Sequence, residues 1–336
     1  MDHLILGYAT HHGLGIMTEE DARTLTHVNL AFATLKDGML DMAGLPDLDQ
    51  HLSRIRGWNP ALRFVLSVGG WGAGGFSHMA RTDSGRRKFA SSVTAVLSQY
   101  GLDGVDIDWE YPCSPLAGID YSPQDRGNFT LLLQALREAV GEGKILSIAA
   151  GGGRYFIRDT EMKQVSLLCD YVQLMTYDLR SGFCTQSGHH TSLYAGEGDD
   201  SELNVDAVVR MFEEAGVPRN RMVIGAAFYS RRWTGVPDVH QGLLQPADSV
   251  GEMGGDYDVL VRSIMDQQGF IRYWDNQAKA PYLFNGDTFL SYDDPRSIAC
   301  KCAYVKSQGL LGIMYWEHGC DSTHTLLQTT GRELKS

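Results

Sequence analysis

The chain reads as an α/β protein, a (β/α)8 barrel of the TIM type carrying a small α+β insertion after its seventh strand. Three observations lead there. Short apolar runs alternate with longer amphipathic segments along the whole chain, the pattern of α/β folds. Eight of the runs qualify as strands, at residues 4–8, 27–33, 62–68, 104–108, 145–150, 171–176, 222–228 and 309–315. They are almost continuously apolar, as parallel strands covered on both faces are.

The intervening segments have helical spacing. Residues 85–100 place Phe89, Val93, Val96 and Leu97 on one face, and residues 128–140 do the same with Phe129, Leu132, Leu133 and Leu136. A third stretch, 204–216, ends at Gly216-Val217-Pro218, a normal helix stop. Eight such units close a barrel. The rhythm breaks only at 233–292, which is rich in Gly, Asp and aromatics. A structureless loop of that length is improbable, so the interval is expected to fold as a lobe. The division is therefore a barrel of residues 1–232 and 293–336 with an inserted lobe at 233–292, rising beside the catalytic face as one wall of a cleft.

The formal net charge of −12 argues against nucleic acid or an anionic membrane as partner, and leaves a neutral polymer open. No apolar run approaches the roughly 20 residues that span a bilayer. The opening MDHLILGYAT has no basic n-region and reads as a strand. As written the chain is expected to be a cytoplasmic monomer, or secreted if a leader was trimmed. Six cysteines show no metal-site spacing and are expected as reduced thiols, with a Cys113–Cys184 bridge between two post-strand loops as the alternative.

Residues 103–112 read Asp-Gly-Val-Asp-Ile-Asp-Trp-Glu-Tyr-Pro. Strand side chains alternate, so Asp106, Asp108 and Glu110 point one way. That way must be the barrel interior, since acids facing outward would sit beneath helices. Three crowded carboxyls cannot all ionise freely, and the outermost can keep its proton near neutral pH. Glycosidic cleavage requires such an acid, and Glu110 lies at the C-terminal end of its strand, where barrel active sites are built. Ion-paired acids at a strand end would explain one carboxyl, but hardly three on a buried strand.

This segment resembles the DxxDxDxE signature of glycoside hydrolase family 18, the chitinase family, with all four acids in place. Ser67-Val68-Gly69-Gly70 is similar to that family's SxGG motif. Gln173-Leu174-Met175-Thr176-Tyr177-Asp178 is similar to its sixth-strand motif, and Gly312-Ile313-Met314-Tyr315-Trp316 to its eighth-strand end. The segment after Trp233 resembles the insertion domain of chitinases with deeper clefts. The resemblance implies a substrate-assisted retaining mechanism. Glu110 would protonate the glycosidic oxygen while the substrate's own N-acetyl carbonyl attacks the anomeric carbon. Asp108 would orient the acetamido N–H, and Asp106 would share a proton with Asp108. Tyr177 would hold the acetamido carbonyl, with Met175 and Asp178 completing that pocket, and Trp316 would form the floor under the −1 sugar. Asp103 would be structural, binding backbone at the start of the strand. No cofactor and no metal are implied.

Other residues carry weaker signals. Tyr8, Phe32, Ser67 and Tyr229 fall at strand ends and by resemblance would line the interior near the site, although core packing would explain any one of them. Trp71, after two glycines, is expected as a sugar platform, and Trp109 as a cleft residue. Tyr229-Ser230-Arg231 has Ser where family members often have Gly; Arg231 would contact substrate or form a surface ion pair. Glu317 and His318 would edge the cleft. His11-His12 and His189-His190 are expected to be solvated or to touch sugar, not to bind metal. Gly151-Gly152-Gly153 lacks the Lys-Ser/Thr sequel of a phosphate loop and instead gives room for substrate or a tight turn.

Hydrolysis of β-1,4-linked N-acetylglucosamine in chitin or chito-oligosaccharides is thus the leading expectation. The alternatives are the same chemistry on peptidoglycan or the N-glycan core, and a non-catalytic carbohydrate-binding protein on the same fold.

Overall fold

In the computed structural model, which describes residues 3–335, all eight apolar runs become parallel barrel strands. The strands in chain order are β1 (Leu4–Ala9), β2 (His27–Lys36), β3 (Met39–Asp41), β4 (Arg63–Gly69), β5 (Gly104–Asp108), β6 (Ile145–Gly151), β7 (Tyr171–Met175), β8 (Met222–Ala227), β9 (Tyr229–Trp233), β10 (Glu252–Asp256), β11 (Ile271–Asp275), β12 (Ala280–Phe284), β13 (Phe289–Ser291) and β14 (Gly312–Trp316). The main sheet runs β1-β14-β8-β7-β6-β5-β4-β2, and β1 pairs with β2 to close it. The short β3 folds back antiparallel on β2.

Local chemistry sets the ends of the elements. The helix at Asp83–Tyr100 begins two residues before the apolar pattern because the Thr82 side chain accepts from the Gly85 amide. The last barrel strand begins at Gly312, not at 309, because Gly309 (φ 65) ends the preceding helix in the left-handed region. Cα register fixes what meets inside the barrel: Asp106 on β5 lies opposite Ser67 on β4 and Ser147 on β6. Asp103, just before β5, accepts from the Phe64 amide at 2.8 Å and pairs with Arg63 at 2.7 Å, joining the bottoms of two neighbouring strands.

A second sheet, wholly antiparallel, has the order β10-β9-β13-β12-β11. Trp233, Val236, Tyr282, Phe284 and Phe289 form a separate buried cluster on it. Its strand β9 starts two residues after barrel strand β8 ends. Among the described residues no helix is long and apolar enough to cross a membrane. All six cysteines are free thiols.

A buried ion pair marks the return from the second sheet to the barrel. Lys301, on the helix Pro295–Gln308, is 0% exposed and donates to Asp293 (2.5 Å) and Thr191 (2.7 Å). Asp293 also accepts from Ser297 (2.6 Å) and from the Ala227 amide at the top of β8 (3.1 Å). Removing one partner of such a pair strands the other charge. We expect Lys301→Met to lower the free energy of unfolding by about 3–5 kcal/mol, read by urea denaturation. A change within about 0.5 kcal/mol would show that the pair holds nothing together.

Candidate active site

The site is assembled from the C-terminal ends of the barrel strands. Deepest is Asp106, with no solvent exposure and four side-chain donors: Tyr8 (2.9 Å), Ser67 (2.8 Å), Ser147 (2.7 Å) and Gln173 (2.9 Å). Gln173 in turn accepts from Asn29 at 2.7 Å, carrying the network across the barrel to β2. Burial raises the Asp106 pKa, and the four donors oppose that rise.

One step outward stands Asp108, 4% exposed, whose Oδ1 has no hydrogen-bond partner. Burial first, then the charges of Glu110 and Asp106, push its carboxyl well above the ordinary range. Glu110, just beyond the end of β5, is 9% exposed. Burial lifts its pKa to about 7; a hydrogen bond from Tyr111 works against the rise and the Asp178 charge adds to it. Non-proline cis peptides follow Ala31, Glu110 and Trp316, each beside the site.

Tyr177 is packed against Gly225, where a Cβ would stand 2.8 Å from its ring. Its hydroxyl has only a long contact to Met314 Sδ, 3.9 Å. Beside it Asp178 receives a two-pronged ion pair from Arg231 and lies 3.4 Å from His190. Burial alone would raise the Asp178 pKa, but His190 and Arg231 outweigh it and hold the carboxyl well below the usual range. Arg231 also lies over the Tyr229 ring, 5.7 Å from its centre.

Aromatic rings complete the walls. Trp316 stacks on Phe32 with centroids 5.3 Å apart and meets Tyr8 at 5.7 Å. Gly70 (φ 93) makes room for Phe32, since a Cβ there would lie 2.8 Å from that ring. Trp71 is 56% exposed, with Tyr111 and Phe183 at 6.3 and 6.4 Å. The cavity holds about 1050 Å³ and brings together Tyr8, Phe32, Trp71, Asp108, Glu110, Met175, Tyr177, Asp178, Tyr229, Arg231 and Trp316. Met253 of the second sheet also lines it, next to Arg231.

Several expectations change against this geometry. Trp109 is not in the cleft: it is 1% exposed, stacked on Phe76 and edge-on to Phe129. Inward-facing 108 and 110 already put residue 109 outward, under the helices. Among the described residues no hydrogen bond joins Asp106 to Asp108, because four other donors occupy Asp106. His189 and His190 are neither solvated nor open to sugar; both are buried and sit beside Asp275 and Asp178. Ser230 lies in regular strand and donates to the Gly255 carbonyl. Glu317 turns away to accept from Thr10, and His318 is buried. Tyr111, Tyr155 and Phe183 line the cavity without having been singled out. Tyr111 stands in the acidic motif itself; Phe183 lies in a loop with no motif or period to mark it.

A raised carboxyl pKa has a cost that can be measured. The folded state holds the Glu110 proton up to about pH 7, whereas the unfolded chain releases it near pH 4.3. Between those values the folded form binds more protons, so this group's contribution falls as pH rises. We expect Glu110→Gln to be more stable than the parent at pH 8, by roughly 3–4 kcal/mol, with the gain vanishing near pH 4. Urea denaturation at both pH values checks this, and equal gains at both would sink the raised pKa.

Comparison with known proteins agrees with this architecture. The family model for Glycosyl hydrolases family 18 matches residues 5–321. "Chitinase A1" of Niallia circulans is 36% identical over 300 residues, 82% of this chain and 43% of that protein. "Endochitinase" of Manduca sexta is 32% identical over 322 residues, 87% of this chain and 57% of that protein. The chain thus spans about half the length of these curated relatives. A solved structure described as a family 18 N-acetylglucosaminidase from Paenibacillus barengoltzii superposes with a TM-score of 0.96 at 48% identity, covering 99% of this chain and 100% of that one. With its acidic strand, its closed barrel and a family match along nearly its whole length, the chain belongs to glycosyl hydrolases family 18.

Proposed function

We propose that the protein is a retaining glycosidase that cleaves β-1,4-linked N-acetylglucosamine in chitin or chito-oligosaccharides by substrate-assisted catalysis. The observation that carries this reading is the Glu110 carboxyl, buried at the cavity wall with its pKa lifted to about 7, next to an Asp108 oxygen that lacks a partner. An acid still protonated near neutral pH can donate to the glycosidic oxygen.

The steps follow from the positions. The Glu110 proton goes to the leaving oxygen as the C1–O bond breaks. The acetamido carbonyl oxygen of the same sugar bonds to C1, giving an oxazolinium ion and the free leaving alcohol. The open Asp108 oxygen accepts the acetamido N–H and faces the positive charge that develops there. The Tyr177 hydroxyl, free of any strong partner, donates to the acetamido carbonyl. Glu110, now a carboxylate, takes a proton from water as that water attacks C1 and the oxazolinium C1–O bond breaks, which restores the acid and the acetamido group and leaves the anomeric configuration retained. Trp316 supports the sugar in the site, and Trp71 offers a ring to a sugar further along the cleft. Arg231 holds Asp178 ionised beside Tyr177, with Met175 and Tyr229 filling the wall. The barrel ends and the second sheet serve as two walls of one cleft.

A second reading, release of single N-acetylglucosamine units from chain ends, is favoured by the Paenibacillus barengoltzii neighbour. That protein is described as an N-acetylglucosaminidase and is matched along its full length.

Mass spectrometry of products separates these readings. We expect the parent protein to cut chitopentaose and Glu110→Gln to lose turnover at least about a hundredfold while still binding the sugar. Disaccharide products support the chitinase reading, and monosaccharide products support the second. Turnover of a peptidoglycan digest or a high-mannose glycopeptide, with chitopentaose untouched, would keep the mechanism and overturn the substrate. Binding without any cleavage would identify a lectin. The pH profile gives an independent check. The acid must be protonated in the free enzyme, so kcat/KM should fall above about pH 7. A profile flat to pH 9 would remove Glu110 from the acid role.

A further inference from the structure

Behind the Trp316 loop, outside the cleft, three side chains from the two ends of the chain converge. Asp21 lies on the helix Glu19–Thr24, while His318 and His324 follow β14. Asp21 is 1% exposed and His318 is 3% exposed. The His324 side chain keeps 22% exposure, which gives the cluster a way to solvent. His324 Nδ1 stands 2.9 Å from Asp21 Oδ2, His318 Nε2 stands 3.6 Å from the same oxygen, and one ligand atom from each residue lies within 4.8 Å of the others.

Hydrogen bonding within the cluster accounts for His324 but not for His318. Its Nδ1 is 2.9 Å from the Tyr315 hydroxyl. Its Nε2 is buried, faces Asp21 Oδ2 at 3.6 Å, beyond hydrogen-bond length, and makes no hydrogen bond. A buried polar atom left that way is costly. A cation coordinated at that point would satisfy it.

From this geometry we propose that Asp21, His318 Nε2 and His324 Nδ1 bind a small divalent transition-metal ion of the Zn2+ class. Ligand atoms held about 2.0–2.1 Å from a tetrahedral metal are about 3.3 Å apart, and the spacings of 2.9 and 3.6 Å bracket that figure. Two imidazoles and one carboxylate suit Zn2+, not Ca2+ or Mg2+. The supporting contacts are present. Tyr315 orients the His318 ring, and Thr18 donates its amide (2.9 Å) and hydroxyl (2.7 Å) to Asp21 Oδ2. The ion clips the first βα connection to the last, across a separation of 303 residues between Asp21 and His324. It does no chemistry on substrate. The expectation of no metal rested on cysteine spacing, on the family resemblance and on histidines adjacent in sequence, and these three ligands have no shared sequence motif.

The test uses the full chain, stripped with chelator and dialysed against Zn2+ or Co2+. Elemental analysis should find one Zn2+ per chain, and Co2+ should give the visible bands of a four-coordinate N/O site. Zn2+ should raise the melting temperature by about 3 °C or more. Uptake should be lost in His324→Asn, which tolerates the left-handed backbone at that position (φ 60). It should also be lost in Asp21→Asn, whose amide oxygen can still accept from the Thr18 amide in the capping box. Absence of the Co2+ bands in the parent protein overturns the site whatever the variants do. So does uptake that persists in folded His324→Asn, which would place the metal at surface groups such as His11 and His51 or the thiols.

Discussion

Everything in the site hangs from one unexposed carboxyl, Asp106, at the centre of a parallel barrel. A charge or a polar acid there is tolerated only if its oxygens are satisfied. Four strands supply the donors, Tyr8 from β1, Ser67 from β4, Ser147 from β6 and Gln173 from β7. The strand register that brings the two serines level with Asp106 also fixes how far each strand end rises. It thereby sets the height of Asp108 and Glu110 above this layer. A slip of one residue would turn all three acids to the outside.

The acids of β5 and its end differ by environment more than by type. Asp106 is saturated with donors, Asp108 has an oxygen with none, and Glu110 sits at the rim of the cavity with Tyr111. Asp178, a fourth carboxyl a short way off, is pinned ionised by Arg231 and His190. Placing a permanently charged carboxylate near Glu110 disfavours ionisation of Glu110, and Asp178 contributes to its raised pKa. The ion pair on Asp178 therefore acts on the acid as well as on the pocket wall.

How far all this could be read from the sequence depends on which physical signal each feature leaves. The eight barrel strands were legible because burial on both faces demands continuous apolar runs. The three acids were legible because alternation is strict on a strand; the same rule assigns Trp109 to the outside, where the structure places it. Strand ends were less legible. Gly309 looks like the start of an apolar run, yet its left-handed φ makes it a helix stop. Phe183, His189 and His190 lie in the long segment between β7 and β8, where no period applies and burial depends on what folds over them. Asp21, His318 and His324 are a harder case, since only barrel closure, β1 against β14, brings the two chain ends together.

Arg231 joins the second sheet to the cavity. It sits on β9, which pairs with β10 on one side and β13 on the other, so the second sheet's hydrogen bonding holds it. Its guanidinium nevertheless reaches Asp178, just beyond the end of barrel strand β7. A guanidinium bound at two points is fixed in orientation as well as distance. The lobe is therefore coupled to the pocket by a directional contact, in addition to the apolar wall that Met253 provides. The Asp293–Lys301 pair anchors the other end of the same lobe to the top of β8. Between these two anchors the lobe cannot swing far from the barrel without breaking an ion pair. One of the two is buried from water and the other partly so, and breaking pairs in such places costs most. Charge pairs thus tie both ends of the second sheet to the barrel, whereas that sheet's own core is apolar.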